Sequence, residues 1–206
     1  MADELVFYFN PMSRARIARW MLEETGAPYR AELLEYGTTM KAPEFLAINP
    51  MGKVPAIRHG KTVVTESAAI CAYLADAFPA AGLAPPLTER GDYYRWLFFV
   101  AGPMEAAVTN HALGFNASDE KRRMLGYGSY GDVMDTLERA VSGKSVIAGN
   151  RFSAADVYVG SHIGWGLHFG SIEKRPAFIE YHKRVTDRPA HRRAMELDDA
   201  LMPAKT

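Results

Sequence analysis

The segment Ala80–Thr88, which holds Gly82, Pro85 and Pro86, divides the chain into two stretches whose apolar residues repeat with different periods. Before it, short apolar runs alternate with helical patterns. After it, no run reads as a strand. That change of period confines the chain to an α/β unit followed by an all-helical one. The expected boundaries are 1–80 for the mixed unit, 81–88 for the linker and 89–206 for the helices.

Within the first stretch, Leu5–Phe9 reads as a buried, aromatic-rich strand stopped by Asn10-Pro11. Ile17, Trp20, Met21 and Leu22 recur at helical spacing between Ser13 and Thr25, and Gly26 and Pro28 end that helix. Tyr29–Leu34 predicts a second strand. Pro43–Ile48 predicts a short helix broken by Asn49-Pro50-Met51-Gly52. Val54–Ile57 and Lys61–Val64 fit a hairpin around His59-Gly60, and Glu66–Phe78 is a helix with Ile70, Tyr73, Leu74 and Phe78 on its apolar side. The order is β-α-β-α-β-β-α. Helical patterns then cover 89–115, 118–141, 153–169, 176–186 and 189–201, which predicts a helical bundle.

Bulk composition excludes several roles. Lys plus Arg and Asp plus Glu are both 24, and the net charge of zero removes the long-range attraction to nucleic acid or an anionic membrane. One cysteine cannot form an internal disulfide, the acidic start Met1-Ala2-Asp3-Glu4 is not a signal peptide, and no apolar run reaches the roughly 20 residues that span a bilayer. A soluble cytoplasmic protein is expected. The six histidines lack a metal-ligand spacing, so no metal is expected, and Cys71, between Ile70 and Ala72, reads as a buried small hydrophobe.

Three short motifs carry chemistry. The strand-to-helix turn Tyr8-Phe9-Asn10-Pro11-Met12-Ser13-Arg14 aims a helix N-terminus at whatever binds there, and such an end stabilises an anion such as a thiolate. Asn10-Pro11-Met12-Ser13 has the Cys-x-x-Cys spacing with both cysteines replaced, so the thiol must come from a ligand; the same residues also fit a plain helix cap. In Lys53-Val54-Pro55, a cis Val-Pro peptide would present the Val54 backbone to an extended peptide, and Lys53 could meet a carboxylate. The alternative is a hairpin entry with a surface lysine. Glu66-Ser67 opens a helix, where the carboxylate could hold an ammonium and Ser67 with its backbone N–H neighbours a carboxylate, or simply form an acidic first turn.

In their order and spacing, Tyr8 to Arg14, Asn49-Pro50-x-Gly52-Lys53-Val54-Pro55 and Glu66-Ser67-x-x-Ile70 resemble the glutathione-binding domain of the cytosolic glutathione transferases. Arg16 to Glu24 with Gly26, Pro28 and Tyr29, Pro43 to Leu46, and Arg188-Pro189-Ala190 fall where that family has similar text, so the likeness covers roughly residues 4–200. Phe152-Ser153-Ala154-Ala155-Asp156 looks like the family's structural capping box. The resemblance implies a thioredoxin-like domain followed by an all-helical one, glutathione as co-substrate, an apolar electrophile as second substrate, transferase activity and a homodimer. Carried over, Val54, Pro55, Glu66, Ser67 and Lys53 contact glutathione, with Lys41 a weaker candidate; Met40 lies near where some relatives have a histidine, so that contact is either absent here or made by Lys41. Glutathione-dependent reduction or isomerisation at the same site, and non-catalytic binding, remain open alternatives.

The residues leave the thiol-activating group open. Ser13 sits at the helix end, Tyr8 ends the first strand, and Asn10 is a third choice; Arg14 would add positive charge beside the sulfur. The second substrate could use aromatic residues among Tyr93, Tyr94, Trp96, Phe98 and Phe99 with Met104, His111 and Phe115, or Trp165 and His168.

Overall fold

A computed structural model describes residues 3–115 and 117–202; the expected outer boundaries at 1 and 206 lie outside them. The chain forms two compact units, one running from the N-terminus to Leu83 and taking in the segment from Arg188 onward, the other spanning Ala84–Asp187.

The first unit contains β1 (Leu5–Phe9), α1 (Ala15–Thr25), β2 (Arg30–Leu33), α2 (Pro43–Leu46), β3 (Ala56–His59), β4 (Thr62–Thr65) and α3 (Ser67–Ala77). The sheet order is β2-β1-β3-β4, with β1 parallel to β2 and antiparallel to β3, and β3 antiparallel to β4. This is the βαβαββα arrangement of a thioredoxin-like domain. β1 is apolar throughout because both of its faces are covered. On one face Val6 and Tyr8 pack with Leu34, Met40, Phe45 and Ala56. The alternate residues Phe7 and Phe9 stack on each other and lie beneath the Arg19 guanidinium of α1. α1 buries Ile17, Trp20, Met21 and Leu22, and Gly26 closes it in the left-handed conformation that a side chain would disfavour.

The second unit is helical: α4 (Gly91–Phe99), α5 (Glu105–Ala112), α6 (Asp119–Arg122), α7 (Tyr130–Val141), α8 (Ala154–Phe169) and α9 (Pro176–Thr186). The single helix expected over 89–115 is divided by a π-helical turn, Val100–Met104, around Pro103, whose missing N–H breaks the regular ladder. The expected helix 118–141 is interrupted between α6 and α7, where Gly126 and Gly128 lie. Asp156 anchors the bundle. Its carboxylate accepts from the Ser153 and Ile147 N–H groups at 3.0 and 2.8 Å and from the Tyr181 hydroxyl at 2.8 Å, which completes the expected structural capping box.

The last helix, α10 (Pro189–Asp199), differs from the expected grouping because it packs on α1 in the first unit. Charged pairs hold it there. Arg19 Nε meets Asp198 Oδ1 at 2.7 Å with both side chains buried, and Arg188 grips both oxygens of Glu24 at 2.6 and 2.7 Å. Arg16 meets Asp199 at 2.6 Å, and Arg193 meets Glu23. Among the described residues no helix is long and apolar enough to cross a membrane.

Candidate active site

Sheet register brings the three motifs to one end of the first unit. Tyr8 pairs with Ala56, and Ala56 with Thr65, so these residues form one row across β1, β3 and β4. The turn after Phe9, the residues before Ala56 and the helix after Thr65 all leave from that end. With strands about 4.8 Å apart, the three backbone exits lie within about 10 Å of one another.

The turn into α1 is held by its own side chains. Asn10 is buried; its Nδ2 donates to the Leu34 carbonyl at 2.8 Å and its Oδ1 accepts from the Met12 N–H at 2.9 Å. Both of its polar atoms are therefore committed to shaping the loop. The Ser13 hydroxyl donates to the Asn10 carbonyl at 2.7 Å and accepts from the Ala15 N–H at 3.0 Å, and the residue is 8% exposed. It acts as a cap while lying at the positive end of α1. Arg14 is exposed beside it. Tyr8 lies elsewhere: its ring packs 5.6 Å from Phe45 in the core beneath α2, with its hydroxyl at the Arg58 guanidinium.

The loop before β3 is equally preformed. The Val54–Pro55 peptide is cis. Among the described residues the backbone N–H and C=O of Val54 take no hydrogen bond, and the Lys53 ammonium has none. Gly52 has a φ of +57°, and a Cβ there would come within 2.7 Å of the Met40 carbonyl oxygen, so only glycine fits. Lys41 Nζ donates to the Met51 carbonyl at 3.0 Å, which makes it a brace for this loop.

Glu66 is the one described non-glycine residue with positive φ, at +66°, and it directly precedes α3. Such a conformation costs on the order of 1–3 kcal/mol and persists where the surroundings enforce it, commonly at binding sites. Its carboxylate is exposed, and neither it nor the Ser67 hydroxyl is bonded among the described residues. The array thus sets out an anion-favouring helix end at α1, an open backbone edge at Val54, an ammonium at Lys53, and a carboxylate beside the α3 N-terminus. Asn49 is the residue whose part sequence reasoning missed; the Asn49-Pro50 dipeptide marked a turn without indicating its partners.

In the helical unit, Tyr93, Trp96 and Met104 are core residues, whereas Tyr94, Phe98 and Phe115 are exposed. His111 stacks on Tyr130 at 4.1 Å, and Trp165 and His168 both meet the exposed ring of Phe169. Cys71 is fully buried, and burial raises its thiol pKa, so it is not a reactive thiol. No group of three or more metal-ligating side chains occurs among the described residues.

Residues 11–77 match the family described as "Glutathione S-transferase, N-terminal domain". The chain is 28% identical over 165 residues to the glutathione S-transferase GstA of Escherichia coli O157:H7, covering 77% of each. It is 30% identical to the solved sphingomonad glutathione S-transferase complexed with glutathione, covering 96% of this chain and 100% of that one with a TM-score of 0.74. A beta-class glutathione S-transferase of Sphingomonas chungbukensis is 28% identical, with a TM-score of 0.75 over 94% of this chain and 98% of that one.

Proposed function

The chain belongs to the glutathione S-transferase family, and from that premise we propose that it binds glutathione in its first unit and transfers it to an apolar electrophile. The observation that supports this reading is the row Tyr8-Ala56-Thr65, which brings the turn into α1, the Val54 loop and the start of α3 to one end of the sheet. Val54 pairs with the peptide backbone. Glu66 takes the ligand's ammonium, and Ser67 with the α3 N-terminus a carboxylate. Lys53 takes the other carboxylate, and Pro55 holds Val54 at the edge. Lys41 acts through the loop it braces.

The cysteine sulfur then falls at the α1 N-terminus. Asn10 shapes the turn, and Tyr8 belongs to the core. Ser13 activates the thiol by turning its proton from the Asn10 carbonyl to the sulfur. That exchange replaces a neutral hydrogen bond with a charge-assisted one, a gain of about 1 kcal/mol. The helix dipole and Arg14 add to it. The thiolate attacks the electrophilic carbon, the C–S bond forms, and the leaving group departs with its electron pair. The same reading makes the protein a cytoplasmic homodimer that needs no metal.

A turnover screen with aryl halides, epoxides and organic peroxides tests it. Conjugation that saturates with glutathione and drops at least about ten-fold in the Glu66→Ala variant is expected. Peroxide reduction without conjugation would replace transfer by a reductive role, and glutathione binding without any turnover would make the protein a carrier.

A further inference from the structure

The loop that presents Lys53 and Val54 is organised by one buried side chain. Asn49 is 5% exposed and uses every polar group it has. Its Nδ2 donates to the Lys53 carbonyl at 2.7 Å, its Oδ1 accepts from the Met51 N–H at 3.1 Å, and its carbonyl accepts from the Gly52 N–H at 2.8 Å. Its own N–H donates to the Phe45 carbonyl at 2.8 Å, tying the loop to α2.

The bond to Lys53 has a geometric consequence for its neighbour. The Lys53 carbonyl and the Val54 N–H belong to one trans peptide plane and point in opposite directions. By drawing the carbonyl inward, Asn49 turns the Val54 N–H outward, where no described residue meets it. Lys41 and the close approach of Gly52 to the Met40 carbonyl hold the other side of the loop. The Asn49 amide donates to Lys53 through its nitrogen and accepts from Met51 through its oxygen at the same time.

We propose that Asn49 is a positioning residue for glutathione: it fixes the peptide plane whose outer side, the Val54 N–H, pairs with the ligand backbone. This rests on the glutathione-binding reading above. An aspartate at this position keeps the shape and the acceptor but loses the donor, and it sets an oxygen against the Lys53 carbonyl. The plane is then free to turn, and the ligand loses its partner before it arrives.

The test compares the parent with Asn49→Asp by calorimetry, using glutathione and S-methylglutathione. The expected result is about ten-fold weaker binding of both ligands, a rise in KM for glutathione, and an unmoved pKa of the bound thiol, because the peptide edge is affected and the sulfur end is not. A purely structural role would lower thermal stability without that selective change. Should the variant fail to fold, amide exchange in the parent decides: the Val54 N–H must become protected when S-methylglutathione binds. No binding by the parent overturns the glutathione reading and this inference with it. Binding by the parent with equal affinity in Asn49→Asp, or a Val54 amide that stays unprotected, overturns the inference alone.

Discussion

Replacing Arg19 by methionine should destabilise the first unit far more than a surface change would. Arg19 sits where α1, β1 and α10 converge: Nε meets Asp198 at 2.7 Å, Nη1 meets the Tyr29 hydroxyl at 3.1 Å, and the guanidinium lies 4.2 Å from the centre of the Phe9 ring. Asp198 is 1% exposed, and its second oxygen already has no hydrogen-bond partner. Burial outweighs the pull of Arg19 and holds the Asp198 pKa above the ordinary aspartate value. Taking Arg19 away strands that carboxylate, and a buried pair broken on one side costs about 3–5 kcal/mol. Arg19→Met with Asp198→Leu removes both charges and should return to within about 1–2 kcal/mol of the parent. The assay is urea denaturation followed by circular dichroism at pH 7 and pH 5. In the single variant the folded state holds the Asp198 proton more tightly than the unfolded chain does, so its deficit should shrink as pH falls. A single variant within 1 kcal/mol of the parent, or a double variant as unstable as the summed singles, would show that the Arg19–Asp198 pair is not coupled in this way.

His182 on α9 donates from Nδ1 to the Gly160 carbonyl at 3.1 Å, against Gly164 of α8, and burial lowers its pKa below the ordinary histidine value. The unfolded chain therefore takes up this proton first, and stability should fall as pH drops below about 6.5, by up to about 1.4 kcal/mol per unit; thermal melts of His182→Gln should show a flatter acid slope. Gly52→Ala places a Cβ against the Met40 carbonyl in a left-handed backbone and should cost at least about 1–2 kcal/mol, read by chemical denaturation, with weaker glutathione binding in calorimetry. Cys71 should resist a thiol reagent in the native protein and react with one equivalent once denatured.

What the sequence disclosed follows from how local each signal is. β1 and α9 were legible because an uninterrupted apolar run and a Pro-initiated periodic stretch each depend on adjacent residues alone. The division of 89–115 turns on one proline, Pro103, whose effect competes with strong helical periodicity on either side. The return of α10 to α1 rests on pairs such as Arg188–Glu24 and Arg16–Asp199, separated by 164 and 183 positions, which no local pattern reveals. At the site, residue types and order pointed to the three motifs. The commitment of the Ser13 and Asn10 side chains to backbone partners, and the Tyr8 ring's place under α2, depend on which way each side chain turns. In β1 both faces are buried, so alternation cannot separate a core tyrosine from an active-site one.

In the proposed function the α1 N-terminus holds the glutathione sulfur as a thiolate. Titrating the ultraviolet thiolate band of bound glutathione tests it most directly, in the parent and in Ser13→Ala, with Tyr8→Phe as the control. A free thiol of this kind titrates near 8.5. The bound pKa should lie at least about one unit lower, rise by somewhat under one unit in Ser13→Ala and stay unmoved in Tyr8→Phe. A bound thiol that titrates like free glutathione, or a shift lost in Tyr8→Phe alone, would contradict it.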